Sequence, residues 1–198
     1  MRLPYQFPSP LRTDRLQLRT MAEADVDDIH AYQSRDDVCR YLMFEPRERD
    51  AVAEKVAKYS QARVLSGEGD YWQLAVERDG RVIGDVYFTI KSDEHQTGEI
   101  GWTLHPDFSG QGFMTEAAGA VLGLAFAEIG LHRVMAELDA RNTSSIALCR
   151  RLGMREEAHF VEDLWFKGEW GDTGIYAVLE REWPRGRGPG RPAVESSR

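Results

Sequence analysis

The spacing of apolar and polar residues at the start of the chain changes from that of a strand to that of a helix. Leu16-Gln17-Leu18-Arg19 alternates apolar and polar residues, as a half-buried strand does. Thr20 and Glu23 then have the spacing of a capping box, which predicts a helix to about Gln33. A second helix is predicted over 49–65, where apolar residues recur at helical spacing: Val52, Val56 and Tyr59.

The middle of the chain has the pattern of an antiparallel meander. Two apolar runs, 72–77 and 81–90, are rich in β-branched and aromatic residues and predict strands. Arg78-Asp79-Gly80 between them is a hairpin signal, because an Asp-Gly pair suits a tight turn. The run 97–104 predicts the next strand of the same sheet.

One parallel crossover is predicted after the meander. Residues 115–129 are apolar around nearly the whole helical circumference, so a buried helix is expected, and Gly130 would end it. The run 134–138 predicts a strand. A strand-helix-strand connection places its two strands in parallel.

The last third predicts a short helix and a closing hairpin. Asn142 is expected to cap a helix that ends at Gly153, and the runs 155–166 and 171–179 predict two paired strands. The predicted fold class is therefore mixed α/β (α+β), with a mostly antiparallel central sheet and one parallel strand-helix-strand crossover.

Composition limits the organisation and the partners. The chain has 198 residues, a net charge of −8 and two cysteines, Cys39 and Cys149. We expect one domain over 1–183 and a flexible Arg-, Pro- and Gly-rich tail over 184–198. The acidic balance disfavours nucleic acid as a partner, and no apolar run is long enough to span a bilayer. We expect a cytoplasmic protein without a metal site or membrane partner.

A glycine-bracketed loop, Gly110-Gln111-Gly112-Phe113-Met114-Thr115, runs directly into the predicted buried helix. The first turn of a helix has unpaired N–H groups and a partial positive charge, so this junction can bind phosphate without a lysine. A Rossmann fingerprint would need glycine or alanine at Thr115, and no Gly-Lys pair of a P-loop occurs in the chain. A nucleotide-binding oxidoreductase is therefore disfavoured.

Four motifs follow one another along residues 10 to 183. They are 11–19 (LRTDRLQLR), 98–107 (GEIGWTLHPD), the glycine loop 110–117 (GQGFMTEA) and 142–154 (NTSSIALCRRLGM). Each is weak alone, but their order and their predicted strand and helix contexts resemble the GNAT superfamily of N-acetyltransferases, in particular its RimJ/RimL-like branch. The resemblance implies acyl transfer from acetyl-CoA, as co-substrate, to an amine.

The resemblance also implies a binding mode for coenzyme A. Its pyrophosphate would lie on the loop at the helix start, formed by Gly110, Gln111, Gly112, Phe113, Met114 and Thr115. Its pantetheine arm would run beside Trp102, Thr103 and Leu104, where the predicted strand 97–104 is expected to part from its neighbour beyond Leu104, and would contact Asn142. Ser109 and Met114 depart from the residues usual in the superfamily.

Three side chains are candidates for the chemistry, in which an amine attacks a thioester directly and a thiolate leaves. Glu99 and Glu137 are candidate general bases acting through a water, although either carboxylate also suits a structural role. Ser145 is a candidate proton donor to the thiolate. Relatives often have tyrosine where this chain has Cys149, which we expect to be a core residue.

Three functions stay open. The first is an N-acetyltransferase acting on a protein N-terminal α-amine or a small-molecule amine, as a monomer or homodimer. The alternatives are a noncatalytic acyl-CoA-binding or regulatory module and a transferase that uses a longer acyl-CoA such as succinyl-CoA.

Overall fold

The fold was analysed in a computed structural model, of which residues 1–184 are described. The strands are β1 (Tyr5–Gln6), β2 (Leu11–Arg12), β3 (Gln17–Thr20), β4 (Val64–Leu65), β5 (Tyr71–Arg78), β6 (Arg81–Ser92), β7 (Thr97–Leu104), β8 (Arg133–Asp139), β9 (Arg155–Phe166) and β10 (Glu169–Leu179). The helices are α1 (Val26–Gln33), α2 (Asp36–Cys39), α3 (Arg49–Tyr59), α4 (Phe113–Leu124) and α5 (Thr143–Arg151). Of the predicted tail, 184–198, only Pro184 belongs to the described residues.

One sheet of eight strands organises the molecule, in the order β2-β3-β5-β6-β7-β8-β10-β9. The β7–β8 pair is parallel, and the other neighbouring pairs are antiparallel. The predicted fold class is thereby confirmed. Among residues 1–184, no helix has the length and apolar character needed to cross a membrane.

The helix predicted over 49–65 is too long. It ends at Tyr59, and Leu65 instead pairs with Tyr5 in a small β1–β4 ladder. Leu65 is fully buried in the main core, so long-range packing outweighs the local helical pattern.

The predicted capping box at the start of the first helix is wrong. Thr20 is the last residue of β3, and a 3₁₀ turn over Glu23–Asp25 precedes α1. The Asp25 carboxylate accepts the Ala22 N–H at 2.7 Å and pairs with Arg19 at 2.8 Å. A buried carboxylate therefore supplies the cap.

Helices cover both faces of the sheet. α4 and α5 lie on the face with the larger core, in which Ile100, Val121 and Leu148 are buried. α1 and α3 cover the opposite face through a smaller cluster that includes Ile29 and Val56.

The parallel pair β7–β8 opens part-way along its length. Its register runs only from Thr97 opposite Arg133 to Glu99 opposite Met135. β8 continues in register with β10 to Asp139, while β7 stays paired with β6 to Leu104. The parting therefore begins after Glu99, five residues earlier than the sequence suggested, and it leaves one edge of β7 without a strand among residues 1–184.

Candidate active site

A groove of about 550 Å³ lies where β7 and β8 part. It is bounded by β7, the glycine loop and α5, and the segment from Asp37 to Leu42 lies across it. Six of the predicted coenzyme A-binding residues line this groove: Trp102, Thr103, Leu104, Gly110, Met114 and Asn142.

The open edge of β7 presents backbone groups to the groove. The His105 N–H bonds to the Ile83 carbonyl on the β6 side. Because successive residues of a strand turn their N–H and C=O groups to opposite edges, those of Trp102 and Leu104 point to the open side. An extended ligand with amide groups can therefore bind there as an additional strand.

The glycine loop has the backbone geometry of an anion site. Gly110 and Gly112 have φ values of 75° and 80°, in the left-handed region that favours glycine. Gly112 is the N-cap of α4, and its carbonyl accepts the Glu116 N–H at 3.0 Å. The N–H groups of residues 113–115 thus have no carbonyl partner within the helix and are available to a phosphate.

The remaining predicted loop residues contribute through their backbone or their packing. Gln111 bonds to the Asp107 carbonyl at 3.3 Å, and the Phe113 ring is buried in the core. The Thr115 hydroxyl accepts a hydrogen bond from Arg151 Nε at 3.2 Å. Their side chains do not line the groove, so their part in binding stays a prediction about main-chain groups.

Two arginines beside the loop were missed by the sequence reasoning. Arg15 Nη1 donates to the Gln111 carbonyl at 3.0 Å, and Arg15 Nε donates to Glu116 at 2.7 Å. Burial would raise the pKa of Glu116, but hydrogen bonds from Thr13 and Arg15 hold it below its usual value. Arg151 lines the groove itself. Arg15 lies in the motif 11–19 and Arg151 in the motif 142–154, so their positions in those motifs were the available signal.

Ser145 bridges the two sides of the groove. Its Oγ accepts a hydrogen bond from Trp102 Nε1 at 3.2 Å, and its N–H donates to the Asn142 side chain at 3.0 Å. Asn142 is thus the predicted N-cap of α5. Since Trp102 uses a lone pair of the serine oxygen, the serine O–H remains able to donate to a group in the groove.

Cys149 and His105 have structural positions. Cys149 is fully buried, and burial raises the pKa of its thiol to about 12. This confirms its expected place in the core. His105 caps a 3₁₀ turn, where its Nδ1 accepts the Asp107 N–H at 3.2 Å.

A second, smaller cavity of about 80 Å³ is lined by residues of β8, β9 and β10. Its lining includes Tyr41, Glu137 and Phe166, and Tyr41 also lines the large groove. The Glu137 carboxylate makes no side-chain hydrogen bond or ion pair within residues 1–184. Glu99, by contrast, forms an ion pair of 2.9 Å with Lys91.

Comparison with known proteins identifies the family. A family model described as an acetyltransferase (GNAT) domain matches residues 15–155. The chain belongs to the GNAT acetyltransferases. The family predicted from the motif order is confirmed, and this GNAT protein is an acyl-CoA-dependent N-acetyltransferase.

Relatives of this GNAT protein cover most of its length. YnaD of Bacillus subtilis, an uncharacterized N-acetyltransferase, is 30% identical over 173 residues, which are 87% of this chain and 98% of the relative. An acetyltransferase of the GNAT family from Bacillus anthracis has a TM-score of 0.78 at 29% identity, with 87% of this chain and 99% of that one covered. Spermidine N-acetyltransferase from Vibrio cholerae, solved with CoA and spermine, shares the fold with a TM-score of 0.72 at 23% identity, over 86% and 98% of the two chains.

Proposed function

We propose that this GNAT protein transfers an acetyl group from acetyl-CoA to a primary amine by direct attack. The parting of β7 from β8 supports this most strongly, because β7 lines the large groove beyond the parting, β8 lines the small cavity beyond it, and Tyr41 borders both. The large groove offers main-chain donors and acceptors to the acetyl-CoA. The small acidic cavity beside Glu137 offers a place for the amine.

We assign the general base to Glu137. Its carboxylate lines the small cavity and forms no ion pair among residues 1–184, whereas Glu99 is paired with Lys91. A neutral amine is required for attack, and reaching it at pH 7 costs about 1 kcal/mol for an α-amine and roughly 4.6 kcal/mol for a lysine side chain. An α-amine therefore needs less help with deprotonation from a single carboxylate.

Ser145 is assigned to the leaving group. Its hydroxyl lies in the groove and can donate a proton to the departing thiolate, while Trp102 holds its oxygen. Cys149 cannot take this role, because its thiol is buried in the core. The thiol of coenzyme A titrates near 8.5, as cysteine does, so the required assistance is small.

Release of free thiol from acetyl-CoA tests the proposal against a panel of N-terminal peptides, polyamines and aminoglycosides, with succinyl-CoA as a second donor. We expect amine-dependent release with acetyl-CoA and a fall in kcat of about 10²-fold or more for Glu137→Gln. Glu162→Gln, on the exposed strand β9, is the control.

Two outcomes would contradict the proposal. Coenzyme A binding without amine-dependent thiol release from any panel member would favour the noncatalytic module. An unchanged kcat for Glu137→Gln would contradict the assignment of Glu137 as the base and leave Glu99 as the candidate. We also propose that the protein belongs to the RimJ/RimL-like branch, is cytoplasmic and acts as a monomer or homodimer.

A further inference from the structure

Arg47 is a half-buried arginine without an ion pair among residues 1–184. Its Nη1 donates to the Gln33 side chain at 2.7 Å, and its guanidinium lies 3.5 Å from the centroid of the Phe44 ring. A guanidinium stays charged and carries five N–H donors in one plane. The Phe44 ring covers one face of this plane and leaves donors along its edge for another group.

The carboxylate of Asp85, although close enough to feel the charge of Arg47, is bonded to other residues. Its oxygens accept from the Tyr32 hydroxyl and from Gln73, each at 2.6 Å. Burial raises the pKa of Asp85 to about 6, and the hydrogen bonds and the Arg47 charge oppose that rise. Asp85 therefore does not serve as the ion-pair partner of Arg47.

A row of tyrosines runs from Tyr59, which lies close enough to Arg47 to feel its charge, toward the open part of β7. The rings of Tyr59 and Tyr71 have centroids 6.1 Å apart, and those of Tyr71 and Tyr87 are 5.9 Å apart. Tyr87 lies beside Gly101, where an added Cβ would be 3.8 Å from the Tyr87 Cβ. All three rings are half-buried, so the row presents partly accessible aromatic surface.

Acidic groups lie at the other end of this row. Glu99 and Gly101 are two residues apart on β7, and Glu137 is two residues beyond Met135, the partner of Glu99. Because side chains alternate between the faces of a sheet, the two glutamates share the face of Tyr87. This face thus has two carboxylates near the parting of the strands, of which Glu99 is paired with Lys91, and the Arg47 guanidinium near the buried Asp85 at its far end.

We propose that the acceptor binds along the Arg47 surface, defined as Arg47, Tyr59, Tyr71 and Tyr87, and that it is a primary amine whose far end carries a carboxylate. The amine would lie at the parting, next to Glu137, and the carboxylate would bind the edge of the Arg47 guanidinium. The two ring-to-ring steps of about 6 Å between Tyr59 and Tyr87 alone span roughly three residues of extended peptide. This inference rests on the proposed N-acetyltransferase activity.

The test compares acceptors that differ in one charge. C-terminally amidated tetrapeptides with a free α-amine and with Glu or Gln at position 2, 3 or 4 are assayed with acetyl-CoA. Linear amino acids of increasing length and their amides form the small-molecule arm. We expect kcat/KM to be about tenfold or more higher for the acid than for its amide at the matching length, as a charge-assisted hydrogen bond predicts.

The preference should depend on Arg47. Arg47→Gln should abolish the acid-to-amide ratio, and Arg47→Lys should retain part of it. Arg49→Gln, whose side chain pairs with Asp27 at the surface, should leave it unchanged. The ratio within one variant is compared, so an effect of Arg47 on the Gln33 region cancels.

Equal kcat/KM for acids and amides in the wild type would overturn the inference while leaving the transferase activity intact. An acid preference that survives in Arg47→Gln would overturn it as well. Failure to acetylate any amine would instead contradict the proposed function.

Discussion

Replacement of Gly84 by alanine should displace the strand on which the donor binds. Gly84 lies on β6 opposite Leu104, and an added Cβ would be 2.4 Å from the Thr103 carbonyl oxygen and 3.1 Å from the Leu104 Cα. Both atoms belong to the backbone of β7, so no side chain can rotate away. Restoring an ordinary contact of 3.4 Å requires a shift of about 1 Å.

The magnitude follows from this shift. Overpacking of this kind costs about 1–3 kcal/mol of stability. A 1 Å displacement of the Trp102 and Leu104 backbone groups should also lower kcat/KM for acetyl-CoA by about 10- to 100-fold, because misplacing a reactant by about 1 Å can slow a reaction by up to this factor. Steady-state kinetics with varied acetyl-CoA, together with thermal unfolding, measures both effects.

Gly98→Ala separates the two effects. Its added Cβ would lie 2.9 Å from Leu131 Cδ1 and from Phe88 Cζ. The substitution therefore overpacks the core at the end of β7 that is still paired with β8. We expect Gly98→Ala to lower the melting temperature without a specific loss of acetyl-CoA affinity. Equal kinetic losses in the two variants, or an unchanged KM in Gly84→Ala, would refute the assignment of β7 as the donor edge.

Three further predictions concern the loop, the leaving group and a buried acid. Gly112→Val should raise the KM for acetyl-CoA strongly, because valine is strained at a φ of 80°, whereas Gly69→Val, with a φ of 87° outside the groove, should affect stability alone. Ser145→Ala should lower kcat more than acetyl-CoA affinity, and Ser144→Ala, which also lines the groove, is its control. The stability that Asp85 contributes is complete below its unfolded pKa of 3.8 and is lost as pH rises through about 6. Relative to Asp85→Asn, urea unfolding of the wild type should therefore show a loss of about 2 kcal/mol between pH 4 and 7.

Local patterns predicted the elements whose stability is mainly local. The turn at Asp79-Gly80, the stop at Gly130 and the cap at Asn142 depend on the conformational preferences of those residues, and all are present in the structure. The helix end near Leu65 was mispredicted, because that residue is held by a distant strand that no local pattern reveals. Long-range strand pairing therefore explains why the turn and the caps were predicted correctly and the helix end was not.

The candidate site likewise has parts that local motifs predict and parts that only the fold brings together. The glycine loop and the Asn142 helix are continuous segments, so their motifs could be recognised directly. The surface that ends at Arg47 brings together α3, β5, β6 and the segment before α3, and its residues share no spacing along the chain. Only the folded arrangement shows that Arg47 lacks an ion pair among residues 1–184.

The open edge of β7 has a consequence for sequence divergence. Main-chain groups of Trp102 and Leu104 are the same whatever side chains those residues carry, so substitutions there can accumulate without loss of donor recognition. Substitution is restricted instead at glycines such as Gly84, where any side chain would displace the edge of β7. A family built this way can keep one donor while the side chains that select the acceptor change freely.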